Sequence, residues 1–325
     1  MSPVITVRVC CPADLSAGVE ARLAGDASVS SLVIHRGASI EPIGDVFEAD
    51  LPREEANSVV DDLMSMGVQE RGTIQLLAVP TWISRPALEA EERAPGASSD
   101  AVVWTDVIER AYDESQLTWT YTSFMVLATL LAAIAILTDS VILVIGAMVL
   151  GPEFVAIAAL GVGLVRGRWN LFGQAMRTLV LGFAISISAV AAIAAMARLA
   201  GLITYNQLLP EARPGTSFIY SPNWWSLSVA VIAGAAGVLA LTSARSGGMV
   251  GVFISVTTIP ASGNIALALV FGIWVEVVGS AVTLVVNIVG MAIAGWLTLL
   301  VQQVVWGGIR RRSTAQRARL QQAPR

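Results

Sequence analysis

The chain has 325 residues, of which 55% are apolar and 14% are charged, and its mean hydropathy is +0.70. This composition excludes an ordinary soluble protein and is typical of an integral membrane protein. The charge is uneven: residues 1–117 contain 20 acidic residues and 8 Arg, whereas the rest of the chain contains 4 acidic residues and 12 Arg. We therefore expect two parts that face different solvents.

Residues 1–80 have the pattern of a small α+β domain. Ile5, Val7 and Val9 alternate with polar residues, as in a half-buried strand, and Pro12 and Pro52 each precede apolar residues at helical spacing. Strand-like runs at 31–36, 43–51 and 73–79 complete the order βαββαβ. This order predicts an N-terminal ferredoxin-like domain, a fold that does not by itself indicate a function.

The N-terminal domain contains few residues that could act in catalysis or bind a metal. Residues 1–14 lack the basic and apolar regions of a secretory signal, so we expect this domain in the cytoplasm. Cys10 and Cys11 are adjacent, and His35 is the single histidine, which leaves no material for a metal site or a catalytic triad. We expect no enzyme activity, no cofactor and no metal. The domain also shows no basic face for nucleic acid.

Two connecting segments precede the membrane part. Residues 81–100 contain prolines and acidic residues and are predicted to be a flexible linker. Residues 101–117 form a predicted amphipathic helix, in which Val103, Val107 and Ala111 lie on one face and acidic residues on the other. Because anionic lipid would repel the acidic face, we expect this helix to pack on a partner helix or on its own domain.

The membrane part covers residues 118–304 and contains six apolar segments long enough to cross a bilayer. They are 118–137, 140–165, 172–199, 224–242, 247–271 and 276–304. Arg residues concentrate in the connections on one side and in the Arg-rich tail, residues 305–325. By the positive-inside rule, both termini are cytoplasmic. We expect a multi-pass homo-oligomer in a bacterial inner (cytoplasmic) membrane.

Two of the predicted spans are interrupted by proline near the centre of the bilayer. Pro152 and Pro260 lie 34 and 36 residues after the starts of the first and fourth spans, so the repeats 118–199 and 224–304 match in layout. Because each repeat has three spans, the second enters the membrane in the opposite sense. The sequence therefore predicts a 3+3 inverted repeat with two broken helices, and such paired breaks indicate the binding site of a transporter.

The predicted substrate or ion site surrounds these breaks. Glu153 is an ionisable residue near the bilayer centre, where a carboxylate is costly unless it is protonated, paired or hydrated. An alternative role for Glu153 is to cap its half-helix. The other candidates are Gly151, Pro152 and Pro260 at the breaks, and the polar residues Thr257, Thr258, Ser262, Asn264 and, in the sixth span, Asn287. Each of these polar residues can equally form an interhelical hydrogen bond. We expect Asp139 and Glu276 to be solvated loop residues.

The breaks also resemble a known family. Residues 145–154, with the motif Gly151-Pro152-Glu153-Phe154, residues 241–247 and 251–261, and Asn287 are similar to the bacterial hydrophobic-domain family called domain of unknown function 389, in its Gly-Pro-Glu-Phe subgroup. The resemblance covers about residues 117–303. It implies a membrane domain that often follows a cytoplasmic domain, and it implies no substrate.

Three functions are compatible with the sequence. The leading hypothesis is a secondary transporter, or ion-coupled carrier, that moves a small solute or ion through a midplane site between the broken helices. One alternative is a membrane-anchored sensor or scaffold whose N-terminal domain binds a small ligand or a partner. A channel is the other alternative. The substrate, the coupling ion and the subunit number are not specified by the sequence.

Overall fold

A computed structural model describes residues 4–79, 83–94, 102–209, 211, 213–216, 219, 224–242 and 258–322. The chain divides into two compact units. The first contains the chain up to Val107, together with 242–246 and 304–325, and the second contains residues 108–241 and 247–303.

The N-terminal unit is a four-stranded antiparallel sheet with two helices between its strands. Its elements are β1 (Val4–Pro12), α1 (Ala13–Ala24), β2 (Ser31–Ile40), β3 (Ile43–Pro52), α2 (Arg53–Ser65), α3 (Val68–Arg71) and β4 (Thr73–Ala78). The strand order is β2-β3-β1-β4, and every neighbouring pair is antiparallel. The predicted order of strands and helices is confirmed, with the one-turn helix α3 added before β4.

The core of this unit forms between one face of the sheet and the two longer helices. Val7, Val9 and Phe47 point from the strands into the same buried cluster as Leu23 and Leu63 from the helices. Pro12 and Pro52 directly precede α1 and α2, where their extended backbone ends a strand and their ring costs no helical hydrogen bond. Alternation in the strands and proline at the helix starts therefore position the core as predicted.

The predicted flexible linker contains a helix in its described part. Helix α4 (Arg85–Arg93) contacts β3, and its Ala87 and Ala90 are buried. The backbone N–H of Ala87 donates a hydrogen bond of 3.3 Å to Oγ of Ser84, which caps the helix. Pro86 lies in the first turn, where a missing N–H is tolerated. The prolines of this segment had led to the prediction of a flexible linker. A proline in the first turn, such as Pro86, is however compatible with a helix, so composition alone did not predict α4.

Helix α5 (Trp104–Glu114) corresponds to the predicted amphipathic helix, and its start is held by its own domain. The backbone N–H of Trp104 donates to Oδ1 of Asn57 at 3.0 Å, and Nδ2 of Asn57 donates to the Val102 carbonyl at 2.6 Å. Val103 belongs to the core of the N-terminal unit. We expected this helix to pack on a partner helix or on its own domain. At its start, the contacts are with its own domain.

The membrane unit is built from apolar helices. They are α6 (Trp119–Leu137), α7 (Val141–Leu150), α8 (Glu153–Val165), α9 (Trp169–Leu199), α10 (Trp224–Thr242), α11 (Thr258–Phe271) and α12 (Trp274–Gln322), and a 3₁₀ helix (Tyr205–Leu208) follows α9. Within the described residues, three helices are long and apolar enough to cross a membrane: Trp119–Leu137, Trp169–Leu199 and Trp274–Val305. Helices α7 and α8 together give a fourth, bent candidate. The described part of the chain therefore has three or four candidate membrane spans.

The fourth and fifth predicted spans correspond to shorter apolar helices in the described residues. These are Ser226–Thr242 within α10, and α11. Residues 247–257 of the predicted fifth span, which include the site candidate Thr257, lie outside the described residues. The count of six spans therefore stays a prediction.

Helix α11 forms the centre of the membrane unit. All eleven residues from Thr258 to Ala268 are buried, whereas Ile142 and Val149 of α7 are exposed by 81% and 58%. A helix buried on every side lies within a bundle, and large exposed apolar side chains on a membrane helix face lipid. Polar groups on the first turns of α11 are therefore held within protein.

Glycines allow the backbones of these helices to approach closely. A Cβ atom at Gly263 of α11 would lie 2.9 Å from the backbone nitrogen of Ala133 on α6. One at Gly234 of α10 would lie 2.4 Å from the carbonyl oxygen of Met291 on α12. Small residues at such crossings are the usual means of packing helices in membranes.

Candidate functional site

The first predicted break is present. Helix α7 ends at Leu150 and α8 begins at Glu153, and the two helix axes differ by 54° across Gly151 and Pro152. Pro152 has no N–H to donate, and its ring blocks a continuous helix, so the sequence itself forces the bend. Glu153 is thereby placed in the first turn of a new helix.

The first described turn of α11, which contains the second predicted break position, contacts the first break. Glu153 is fully buried, and Oγ1 of Thr258, the first residue of α11, donates a hydrogen bond of 2.7 Å to Oε1 of Glu153. Two residues 105 positions apart therefore join the first turn of α8 to the first described turn of α11. A carboxylate at a helix N-terminus is favoured by the helix dipole. We call this contact the α8–α11 junction.

Pro260 is the third residue of α11, and it is fully buried. In the first turn of a helix the missing N–H of proline costs no intrahelical hydrogen bond. Pro260 therefore belongs to the start of a helix in the described chain. The apolar run that precedes it lies outside the described residues.

Ser262 has the structural role that the sequence offered as its alternative. Its Oγ lies 3.1 Å from Oγ1 of Thr129 on α6, and it also donates to the carbonyl of Ile259 at 2.7 Å. These contacts tie α11 to α6. The structure does not place Ser262 in hydrogen-bond contact with Glu153.

Asn264 belongs to a second polar cluster. Its Oδ1 accepts a hydrogen bond of 2.9 Å from Nη1 of Arg213, and its Nδ2 donates to Oε2 of Glu276 at 3.1 Å and to Oγ of Ser280 at 2.9 Å. Arg213 also forms an ion pair with Glu276, and its Nε donates to the carbonyl of Leu208 at 2.8 Å. We call Arg213, Asn264, Glu276 and Ser280 the Arg213 cluster.

The sequence interpretation of Glu276 was wrong, and Arg213 was missed as a site residue. We expected Glu276 to be solvated in a loop, yet it is buried beside Arg213, which is fully buried. Opposite charges can enter a membrane protein together because each offsets much of the cost of burying the other. The available signal in the sequence was an Arg in a connection predicted to lie outside, where the positive-inside rule disfavours Arg, together with an acidic residue at the start of a predicted span.

Asp139 holds the same connection that carries Arg213. Its Oδ2 accepts a hydrogen bond of 3.1 Å from the backbone N–H of Gly215, and its Oδ1 accepts one of 3.0 Å from Oγ1 of Thr216. Asp139 follows α6 and has a φ of 47°, in the left-handed region. The α6–α7 turn and the Arg213 segment are therefore fixed to each other.

Tyr121 is a further polar residue that the sequence analysis missed. It lies near the start of α6 and is buried. Its hydroxyl has no hydrogen-bond partner among the described residues. A Cβ atom at Gly182 would lie 2.9 Å from Cε1 of Tyr121, so the glycine makes room for the ring.

Asn287 is hydrogen-bonded to neither cluster. It is fully buried on α12, and among the described residues neither Oδ1 nor Nδ2 has a hydrogen-bond partner. The predicted site therefore splits into three parts: the α8–α11 junction, the Arg213 cluster, and Asn287. Within the described part of the chain no three His, Cys, Asp or Glu residues are grouped so that they could hold a metal ion.

Comparisons with known proteins give one match. No curated protein and no solved structure is significantly similar to the chain. Residues 148–293 match the model of the family described as domain of unknown function (DUF389). This region begins in α7 and ends in α12, so it includes the α8–α11 junction, the Arg213 cluster and Asn287. The chain is therefore similar to the DUF389 family through this membrane region.

Proposed function

We propose that the membrane unit is a secondary transporter of a small solute or ion, with the α8–α11 junction as its central site. The observation that carries this proposal is the hydrogen bond between Thr258 and Glu153, which joins the first turn of α8 to the first described turn of α11 inside the helix bundle. Helix ends that meet at the middle of a membrane bundle form the ion and substrate sites of many carriers.

Glu153 supplies the coupling group in this proposal. A carboxylate fully buried in a membrane protein is costly in its charged form, and binding a proton or a metal cation removes that cost. The Thr258 hydroxyl can hydrogen-bond to either form of the carboxyl group, because a hydroxyl both donates and accepts. Transport would couple to an ion gradient through this change of charge.

The proposed architecture is six spans arranged as a 3+3 inverted repeat, with both termini in the cytoplasm. Its support is that α8 and α11 each begin at a proline-containing segment and that α10 and α11 are apolar helices where the fourth and fifth spans are expected. The N-terminal unit is proposed to be ferredoxin-like, since its strand order β2-β3-β1-β4 and its antiparallel pairing agree with that fold.

Flux measurements on protein in liposomes test the proposal. Vesicles that enclose a pH-sensitive dye receive the full chain, and a pH or sodium gradient is then imposed. We expect dissipation of the gradient above that in protein-free vesicles, saturating with the concentration of the moving ion. A chain that lacks residues 1–99 should retain part of this flux.

Each competing function gives a different result in the same assay. A sensor or scaffold would give vesicles that hold their gradients, with or without residues 1–99. A channel would give a flux that rises linearly with the gradient and does not saturate. Either result would contradict the transporter proposal.

A further inference from the structure

One face of α12 carries a row of buried polar side chains. Glu276, Ser280, Thr283 and Asn287 follow one another at intervals of three or four residues, and all four are buried. This spacing places them along one side of the helix over about 16 Å, at about 1.5 Å per residue. A polar row of this length inside a membrane protein is costly unless each group has a partner.

Three of the four groups have partners. Glu276 and Ser280 belong to the Arg213 cluster, and Oγ1 of Thr283 donates a hydrogen bond of 2.9 Å to the carbonyl of Gly279 on its own helix. Asn287 differs, because its amide oxygen and its amide nitrogen are both buried without a hydrogen-bond partner among the described residues. Buried amides are almost always hydrogen-bonded, so this exception calls for an occupant that binds them.

We infer that Asn287 is a ligand position for an uncharged group that both donates and accepts hydrogen bonds. The amide offers one acceptor and two donors. The nearest charge on the same face of α12 is Glu276, three turns away, and Arg213 already neutralises it. An ion at Asn287 would therefore lack a counter-charge from this face, whereas a carboxamide or hydroxyl group, or a water molecule, would satisfy the amide.

This inference deepens the proposed function and rests on it, since a ligand that reaches Asn287 must enter the membrane unit. It gives the transported class as small neutral polar molecules, with the ion coupled at Glu153. Water and a small polar solute share the required chemistry, and the experiments below distinguish them.

The first experiment compares two buried asparagines on neighbouring helices. Asn287→Leu and Asn264→Leu each replace an amide by an apolar group with the same number of heavy atoms, and both residues are fully buried. Asn264 has three hydrogen-bond partners, so its replacement should lower the Tm of the purified full chain by about 4 °C or more. Asn287→Leu should leave Tm unchanged or raise it. An equal fall for both variants would overturn the inference.

The second experiment tests access to the position. In a Cys10→Ser, Cys11→Ala background, Asn287→Cys is treated in liposomes with an uncharged hydroxyethyl methanethiosulfonate reagent. We expect labelling that exceeds by at least tenfold that of Leu299→Cys, a fully buried control position on the same helix. Labelling no faster than at the control position would overturn the inference.

Protection identifies the occupant. Acetamide and glycerol are added separately during labelling of Asn287→Cys. Slower labelling with either compound shows that a polar solute binds at this position, whereas labelling that neither compound slows shows that water occupies it. None of these three experiments measures flux or involves Glu153. A result that overturns the inference about Asn287 is therefore distinct from a negative result in the transport assay.

Discussion

At the scale of single residues, the buried polar groups of the membrane unit differ in how fully they are partnered. Asn264 has a hydrogen bond for each of its polar atoms, whereas Asn287 has none among the described residues. The sequence predicted both as members of one site, because both are asparagines within predicted spans. It could not predict the difference, since the partner Arg213 lies 51 residues away in a connection between spans.

Replacing Glu276 by Gln should strongly destabilise the membrane unit. The substitution leaves the fully buried Arg213 without its ion-pair partner, and breaking a buried ion pair in this way costs about 3–5 kcal/mol. Thermal unfolding of the purified chain, followed by Trp fluorescence, measures the effect. The double variant Arg213→Met, Glu276→Leu is the control and should recover much of the loss. A single variant as stable as the original protein would show that the pair has no structural role.

Glu54, in the first turn of α2, should make the stability of the N-terminal unit depend on pH. Burial raises the pKa of the Glu54 carboxyl to about 7; the residue's own backbone N–H and Arg53 oppose the rise, and Glu91 and Glu55 support it. Among the described residues, no other residue donates a hydrogen bond to this carboxyl. The folded state therefore holds a proton that the unfolded chain releases near its ordinary pKa of about 4.3.

The stability contributed by Glu54 is fully present below about pH 4.3 and is lost as the pH rises through about 7. Because Glu54 is only partly buried, we expect the loss to be about 1–2 kcal/mol. Glu54→Gln should abolish this decline, and the exposed Glu70→Gln should leave it in place. Amide hydrogen exchange of α2 in the full chain, corrected for the intrinsic effect of pH, measures it. Equal pH dependence in the Glu54→Gln variant and the original chain would contradict the prediction.

At the scale of elements, the positions of the strands and of the first helix break could be predicted because local chemistry determines them. Alternating residues in β1 can bury only one face, and Pro152 cannot continue a helix. Helix α4 could not be predicted from composition, because its formation depends on the Ser84 cap and on contact with β3. Likewise, the meeting of α8 with α11 depends on bundle packing, which no short segment specifies.

The crossing of α10 and α12 should be sensitive to the size of residue 234. A Cβ atom at Gly234 would lie 2.4 Å from the carbonyl oxygen of Met291, which is closer than atoms can approach. Gly234→Val should therefore separate the helices and cost about 1–3 kcal/mol, seen as a lower Tm in detergent. Gly173→Val is the matched control, because a Cβ atom at Gly173 of α9 meets no atom within 4 Å. An equal fall in both variants would show that side-chain size at the crossing is unimportant.

At the scale of the whole molecule, composition and charge predicted a membrane part after an N-terminal α+β part, and the structure has both. The family match over residues 148–293 agrees with the resemblance seen at the helix breaks. Inverted symmetry and sidedness are less accessible from sequence, because they depend on how six apolar segments enter a bilayer. The matched positions of Pro152 and Pro260 predict that two helix segments meet. They do not specify which side chains come into contact, because that depends on how the whole bundle packs.

The central claim is that Glu153 is the group whose change of charge drives transport, and the pH dependence of flux tests it most directly. Currents from reconstituted protein on a solid-supported membrane would be recorded against pH for the original chain, Glu153→Asp, Glu153→Gln and the surface control Glu109→Gln. We predict that Glu153→Asp shifts the pH of half-maximal current, that Glu153→Gln abolishes coupled current, and that Glu109→Gln changes neither. Currents of the same size and pH dependence in Glu153→Gln and the original chain would contradict the claim.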